Sequence, residues 1–293
     1  MNKFNCLFKS VTFFIIASVL FSCGTENSNE TEQNEMVNCD SVASVQDGID
    51  ENDISYSLPS PLQIASVFKK SGMKYNEEYL SKKKEPQKYI TSVSKALNLG
   101  VYSADLSYAM LNKQNQTVME YMKLNNTVAT SLGLGNAYLM NNVMKRFEKN
   151  IGNTDSLTSI ISEIQLEIDL YLDENDQKEI GTIAFTGAWV ESMHIVLMVN
   201  ENLKSELLNK KTTQQLRILK SIINALKANV KKDAGIEKVL TSIQKLESVV
   251  DNLNTMKQCA ESSKEPLVLN DDEVKLVAKE IELLRNQVIN GEF

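Results

Sequence analysis

One histidine in 293 residues sets the first limit on this chain. The ferritin-like di-iron site needs two Glu-x-x-His pairs, so a single histidine excludes it in its usual form. A Ser-His-Asp triad would have to use His194 from the middle of an apolar stretch, which disfavours that chemistry too. There is no glycine-rich phosphate loop and no Gly-x-Ser-x-Gly elbow. The four cysteines show neither CxxC nor Cys/His spacing, so they do not form a metal signature. Proline occurs only at 59, 61, 86 and 266, which leaves 87–265 without a helix breaker. Strand-like alternation is missing as well, and apolar residues recur at three and four. These absences predict an all-α fold, an antiparallel multi-helix bundle of about eight to ten helices.

Positive charge is missing where negative charge is dense. Residues 24–57 hold nine acids and no Lys or Arg. Of the 38 acids and 31 bases, two further lysines lie in 1–22, so 58–293 carries 29 of each and is formally neutral. A like-charged segment poor in large apolar residues is expected to stay disordered. As a coil it would span roughly 30–35 Å, the length of a spacer. The neutral remainder shows no basic stripe at this level, which predicts no nucleic-acid partner. The expected division is 1–22 leader, 23–57 acidic tether and 58–293 a single all-helical domain.

What is present begins with Lys3, Lys9 and the apolar run 11–21, VTFFIIASVLF. This run has the length of a signal-peptide core and is short for a bilayer span. Leu20-Phe21-Ser22-Cys23 follows and resembles the lipobox of bacterial lipoproteins, with Phe21 where a small residue is commoner. That resemblance implies removal of residues 1–22, diacylation of the Cys23 thiol and acylation of the new amino terminus. Several acyl chains anchor stably where one is marginal. Gly24, in place of a retention aspartate, implies the outer membrane. The alternatives are an uncleaved anchor or a signal cleaved elsewhere. Cys6 leaves with the leader, so Cys39 and Cys259 are the thiols free to pair in an oxidising envelope; the alternative is two unpaired thiols.

Capping residues and glycines place the helices. Ser60-Pro61 starts the first, ending near Ser71 at Gly72. The next is expected from Pro86 to Leu99, with Gly100 as a kink before 103–114. Then come 115–132, 136–150 and 155–173, the last capped by Asn153-Thr154. Asp176 and Glu179 have capping-box spacing and open a long helix to Asn200. Helices near 203–232, 236–257 and 271–289 follow, the last capped by Asn270. The acid-rich turn 169–179 invites a calcium reading, but Lys178 and the late Gly181 spoil the loop pattern, leaving a helix end and a helix start.

Residues 180–199 contain the only Trp and the only His and are apolar on nearly every side, as a central helix would be. Gly181, Ala184, Gly187 and Ala188 leave room for another helix to pack closely. Glu191 and His194 share a face and are expected to form a buried, hydrogen-bonded polar pair, since a lone buried carboxylate is costly. Tyr102, Asp105 and Tyr108 stand at i, i+3 and i+6 and are the candidate partners, with Arg146 or a lysine to complete the network. Any pocket is expected there.

The stretches PSPLQIASVFKKSGMKYN, SKALNLGVYSADLSYA and GAWVESM resemble a family of uncharacterised lipoproteins of Bacteroidota, over about 58–260. The resemblance implies an envelope location and a helical domain, and transfers no activity or catalytic residue. The acidic start after Cys23 resembles the surface-export signals of such lipoproteins. Asp40-Ser41-Val42 and Asp155-Ser156-Leu157 resemble an O-glycosylation motif of that phylum, Ser41 being the more accessible. The leading expectation is a membrane-anchored binding or scaffolding module for a protein or small ligand, without cofactor or metal. The alternatives are an enzyme, metal or ligand site on Glu191, His194, Asp105 and the tyrosines, and a purely structural envelope protein.

Overall fold

The computed structural model describes residues 60–70, 74–82, 86–139, 142–261 and 268–293. Cys23, Cys39 and Ser41 lie outside the described residues, as do the expected leader 1–22 and the acidic segment. Cys259 falls in a helix, but its side chain is not among those described. The described chain is all-α: α1 (Pro61–Lys70), α2 (Ser92–Leu111), α3 (Asn115–Ser131), α4 (Asn136–Leu139), α5 (Val143–Lys149), α6 (Thr154–Glu174), α7 (Lys178–Leu203), α8 (Glu206–Leu216), α9 (Ile218–Asn229), α10 (Ala234–Asp251), α11 (Asn254–Glu261) and α12 (Asp271–Asn290). Short 3-10 turns cover Glu77–Tyr79 and Pro86–Lys88.

Local chemistry explains most starts. At α1, Ser60 and Gln63 cap each other: the Gln63 amide donates to Ser60 Oγ and the Ser60 amide to Gln63 Oε1. Asn153 accepts from the Ser156 amide at the start of α6. Asn270 and Glu273 form a full capping box at α12. Glu273 also accepts from the amide and hydroxyl of Thr255, so this cap ties α12 to α11.

α7 is the hub and packs against α1, α2, α6, α8, α9 and α12. Trp189, Val190 and Met193 are fully enclosed. Among the described residues, α7 is the one helix long and apolar enough to cross a membrane, but 83% of its apolar window is buried by the other helices. The closest partner is α2, and glycine sets that contact. A Cβ at Gly100 would overlap the Ala184 carbonyl oxygen, and one at Gly187 would overlap that of Leu97. Gly100 is therefore not a kink. α2 runs unbroken through it, because the missing side chain serves the neighbouring helix rather than a bend.

Other boundaries differ from the expectation for identifiable reasons. Pro86 opens only a 3-10 turn, and α2 starts at Ser92 with Thr91 accepting from the Ser94 amide. The stretch 136–150 is two helices, with Asn142 in a left-handed conformation between them (φ 53°). Asp176 is no N-cap: it holds a left-handed turn residue (φ 55°), and Gln177 precedes α7 without a side-chain cap. Residues 236–257 divide into α10 and α11, and 203–232 into α8 and α9.

Candidate functional site

The polar residues expected on α2 and α7 do not form the pair anticipated from spacing. Glu191 is fully buried, and its partner is Arg285 of α12 rather than His194. The guanidinium grips the carboxylate in a fork, Nε to Oε2 at 2.6 Å and Nη2 to Oε1 at 2.8 Å. Arg285 is itself only 8% exposed. Arg146, the arginine anticipated here, pairs with Glu163 instead, at the edge of α5 and α6.

Asp105 stands beside Glu191 and is also fully buried. Its Oδ2 accepts from both the amide and the hydroxyl of Ser81. Among the described residues its Oδ1 receives no donor. Burial and then the charge of Glu191 push the Asp105 carboxyl well above the usual carboxylate range, against the lowering effect of Ser81 and Arg285. One guanidinium then faces two buried carboxyl groups, and the raised Asp105 favours its neutral form, the arrangement that desolvation favours.

The tyrosines divide between two tasks. Tyr102 approaches Tyr89, hydroxyl to hydroxyl at 3.4 Å, and its ring leans on Tyr121. Tyr121 donates to the Ser81 carbonyl at 2.5 Å, and burial raises its hydroxyl well above the ordinary tyrosine value. Tyr108 is buried but belongs elsewhere. Its hydroxyl donates to the Lys74 carbonyl at 2.8 Å and accepts from the Asn76 amide at 2.9 Å. Burial pushes it up to about 12. Thus Asp105, Tyr108 and Tyr121 share one effect: all fasten the segment 74–82, which has little regular structure, to the bundle.

His194 makes no hydrogen bond to Glu191 among the described residues. Burial, and then the charge on Arg285, lower its pKa to about 3, so it is neutral. Among the described residues no group of three His, Cys, Asp or Glu side chains is placed to hold a metal ion. The acid-rich turn after α6 is occupied by an ammonium from within: Lys232 Nζ donates to the Asp176 carbonyl at 2.7 Å and to its carboxylate at 2.9 Å. Asp155-Ser156-Leu157 lies in the first turn of α6.

Arg285, Ser81, Tyr89 and Tyr121 were not anticipated. Arg285 had a usable signal. It is one of three arginines in the chain, four residues after Ile281 and three before Val288, on the apolar stripe of α12. A cation on a core stripe requires a buried anion.

Two features lie at the surface. A groove of about 260 Å³ runs between residues 133–137 and the end of α6, lined by Leu134, Ala137, Ile168, Leu170, Tyr171, Glu167 and Glu174. Leu166 beside it and Leu170 in its wall are 57% and 46% exposed. α6 contributes six acids and no base; Glu163 and Asp173 are paired with Arg146 and Lys178, while Glu167 and Glu174 are in no ion pair among the described residues. The second feature corrects the expectation that there is no basic stripe. Formal neutrality of 58–293 conceals segregation: residues 207–232 hold seven bases and no acid. Lys220 and Lys227 are exposed on α9, and Lys231 is exposed in the turn after it.

Comparison of the chain with protein-family models, with curated proteins and with solved structures gave no match.

Proposed function

We propose that this chain is an envelope lipoprotein, anchored through Cys23 and carried on the acidic segment 24–57, whose helical domain is a binding module. The observation that carries the binding assignment is the contrast between the two polar regions. The residues with catalytic potential are closed inside the bundle, neutralised by Arg285 and spent on fastening 74–82. An open concave surface is the groove at α6, where Glu167 and Glu174, in no ion pair among the described residues, flank Leu170 and Tyr171. Apolar walls with a few fixed charges suit a ligand that is cationic and partly apolar.

A synthetic peptide of alternating lysine and leucine character is the probe. It should bind saturably, and Glu167→Lys with Glu174→Lys should weaken binding at least tenfold at unchanged stability. Equal binding by that variant would remove the groove from the proposal. Radiolabelled palmitate in cells tests the anchor separately: Cys23→Ala should abolish incorporation, and unchanged labelling would refute acylation there. The lipobox, the acidic start and the resemblance to Bacteroidota lipoproteins support this part, with the outer membrane as the location.

A further inference from the structure

The charges of the groove beside α6 have a definite spacing. Glu167 and Glu174 are seven residues apart on one helix. They therefore lie within about 20° of one line along it, with Cα atoms about 10.5 Å apart at 1.5 Å per residue. The two side chains are equal in length and lean the same way along the helix, so their carboxylates keep about the spacing of their Cα atoms. Leu170 and Tyr171 sit between them at i+3 and i+4, and Leu134 and Ala137 lie across the groove. An acid stands at each end, and apolar surface runs from one to the other.

The nearby bases are engaged elsewhere. Lys178 pairs with Asp173, and Lys232 with Asp176 and Glu179. The described residues lining the groove include no Lys, Arg or His, and α6 carries none along its whole length. α6 also ends at Glu174, where the partial negative charge of a helix C-terminus adds to that of the carboxylate.

A ligand with one ammonium answers one end of this pattern and leaves the other. A linear chain with an ammonium at each end answers both. An extended chain advances about 3.5 Å for every three bonds, so two nitrogens joined through eight methylenes, nine bonds apart, stand about 10.5 Å apart. Its methylenes cover the exposed faces of Leu170 and Tyr171, which removes apolar surface from water on both sides. A shorter chain reaches only one carboxylate.

We propose that the groove takes a linear aliphatic diammonium ion, one end at Glu167, the other at Glu174, and the methylenes against Leu170 and Tyr171. The inference rests on the reading of this groove as the binding surface and adds a length and a second charge to it.

Isothermal titration of the full chain with 1,8-diaminooctane tests it. Binding should be saturable with one ligand per chain. 1,4-Diaminobutane, which is too short, and 8-amino-1-octanol, which has the length and one charge, should each bind at least tenfold more weakly. Glu167→Gln and Glu174→Gln should each bring 1,8-diaminooctane down to the affinity of the amino alcohol, with helical circular dichroism unchanged. Glu237→Gln, an exposed acid on α10 outside the groove, should leave binding as it is. Equal affinity for the amino alcohol or for 1,4-diaminobutane overturns the proposal, since one charge or any spacing then suffices. A lysine–leucine peptide that binds through Glu167 and Glu174 while 1,8-diaminooctane does not bind overturns the diammonium assignment and leaves the binding module standing. Failure of both ligands removes the groove itself.

Discussion

The Arg285–Glu191–Asp105 triad and the α8–α9 face both gather ionisable groups, under opposite conditions. In the triad, two acids and one base are removed from water, and each charge is answered by hydrogen bonds within a few ångströms. On α9 and the turn after it, Lys220, Lys227 and Lys231 are left in water and, among the described residues, are in no ion pair. The first arrangement binds helices and a loop into one position, and failure of one member exposes the others to an uncompensated interior. The second contributes little to folding and projects a field outward, where salt and other anions can reach it. The two differ in what moves them: removal of a partner acts on the triad, and ionic strength acts on the face.

The largest expected effect comes from breaking the fork. Glu191→Gln leaves the Arg285 guanidinium buried without a counter-charge, and truncation of one member of a buried pair costs about 3–5 kcal/mol. Urea unfolding should show that loss, and 1 M NaCl should not recover it. Replacing both partners by apolar residues, Glu191→Leu with Arg285→Met, should recover most of it. A smaller effect should follow Tyr108→Phe, about 1–2 kcal/mol, since the Asn76 amide and the Lys74 carbonyl both lose their partner. Hydrogen exchange should speed up across 74–82 in that variant and stay unchanged in α9.

pH separates the members of the buried region. A carboxyl whose folded pKa is raised, as for Asp105, gives stability that is complete below its unfolded pKa and is lost as pH rises towards the folded one. Asp105→Asn keeps a neutral group that can accept from Ser81 and donate to Glu191. Its stability relative to the parent should therefore grow as pH rises above about 4 and level off where the parent's carboxyl ionises. His194 has the opposite slope. Its folded pKa of about 3 lies below the ordinary 6.5, so its contribution is complete above 6.5 and is lost as pH falls towards 3. His194→Gln should flatten that acid limb, as read by thermal unfolding at closely spaced pH values. If Asp105→Asn leaves the pH profile unchanged, the Asp105 carboxyl is not raised by its surroundings.

The helices were legible in the sequence because their signals are local. Ser60 with Gln63, Asn153 and Asn270 each announce a helix start through atoms within three residues. The apolar circumference of 180–199 likewise identified the central helix. The site was legible only in part. Burial of Asp105 and Glu191 followed from their positions on apolar helices, but Arg285 is 94 residues from Glu191 and Ser81 is 24 from Asp105. Such partners are chosen by packing, which period and spacing do not encode. Gly100 shows the same limit in miniature: a glycine in a helix has a local reading as a kink, and the Ala184 backbone on another helix decides otherwise. The basic face was missed for a different reason, since a domain-wide sum cancels acids on α6 against bases on α8–α9.

The smallest expected effect is at those bases, and its sign carries the information. Single changes Lys220→Gln, Lys227→Gln and Lys231→Gln should each alter stability by no more than about 0.5 kcal/mol. On a bare face, removing one of several like charges relieves repulsion and stabilises slightly at low salt. Beside an anion, the same change removes an attraction and destabilises slightly. Either shift should vanish in 1 M NaCl, where the screening length falls to about 3 Å. Summing the three changes in one chain makes the sign measurable by urea titration at 20 mM and 1 M NaCl. Stabilisation at low salt agrees with lysines that repel one another across water, and destabilisation at low salt alone shows that an anion reaches them.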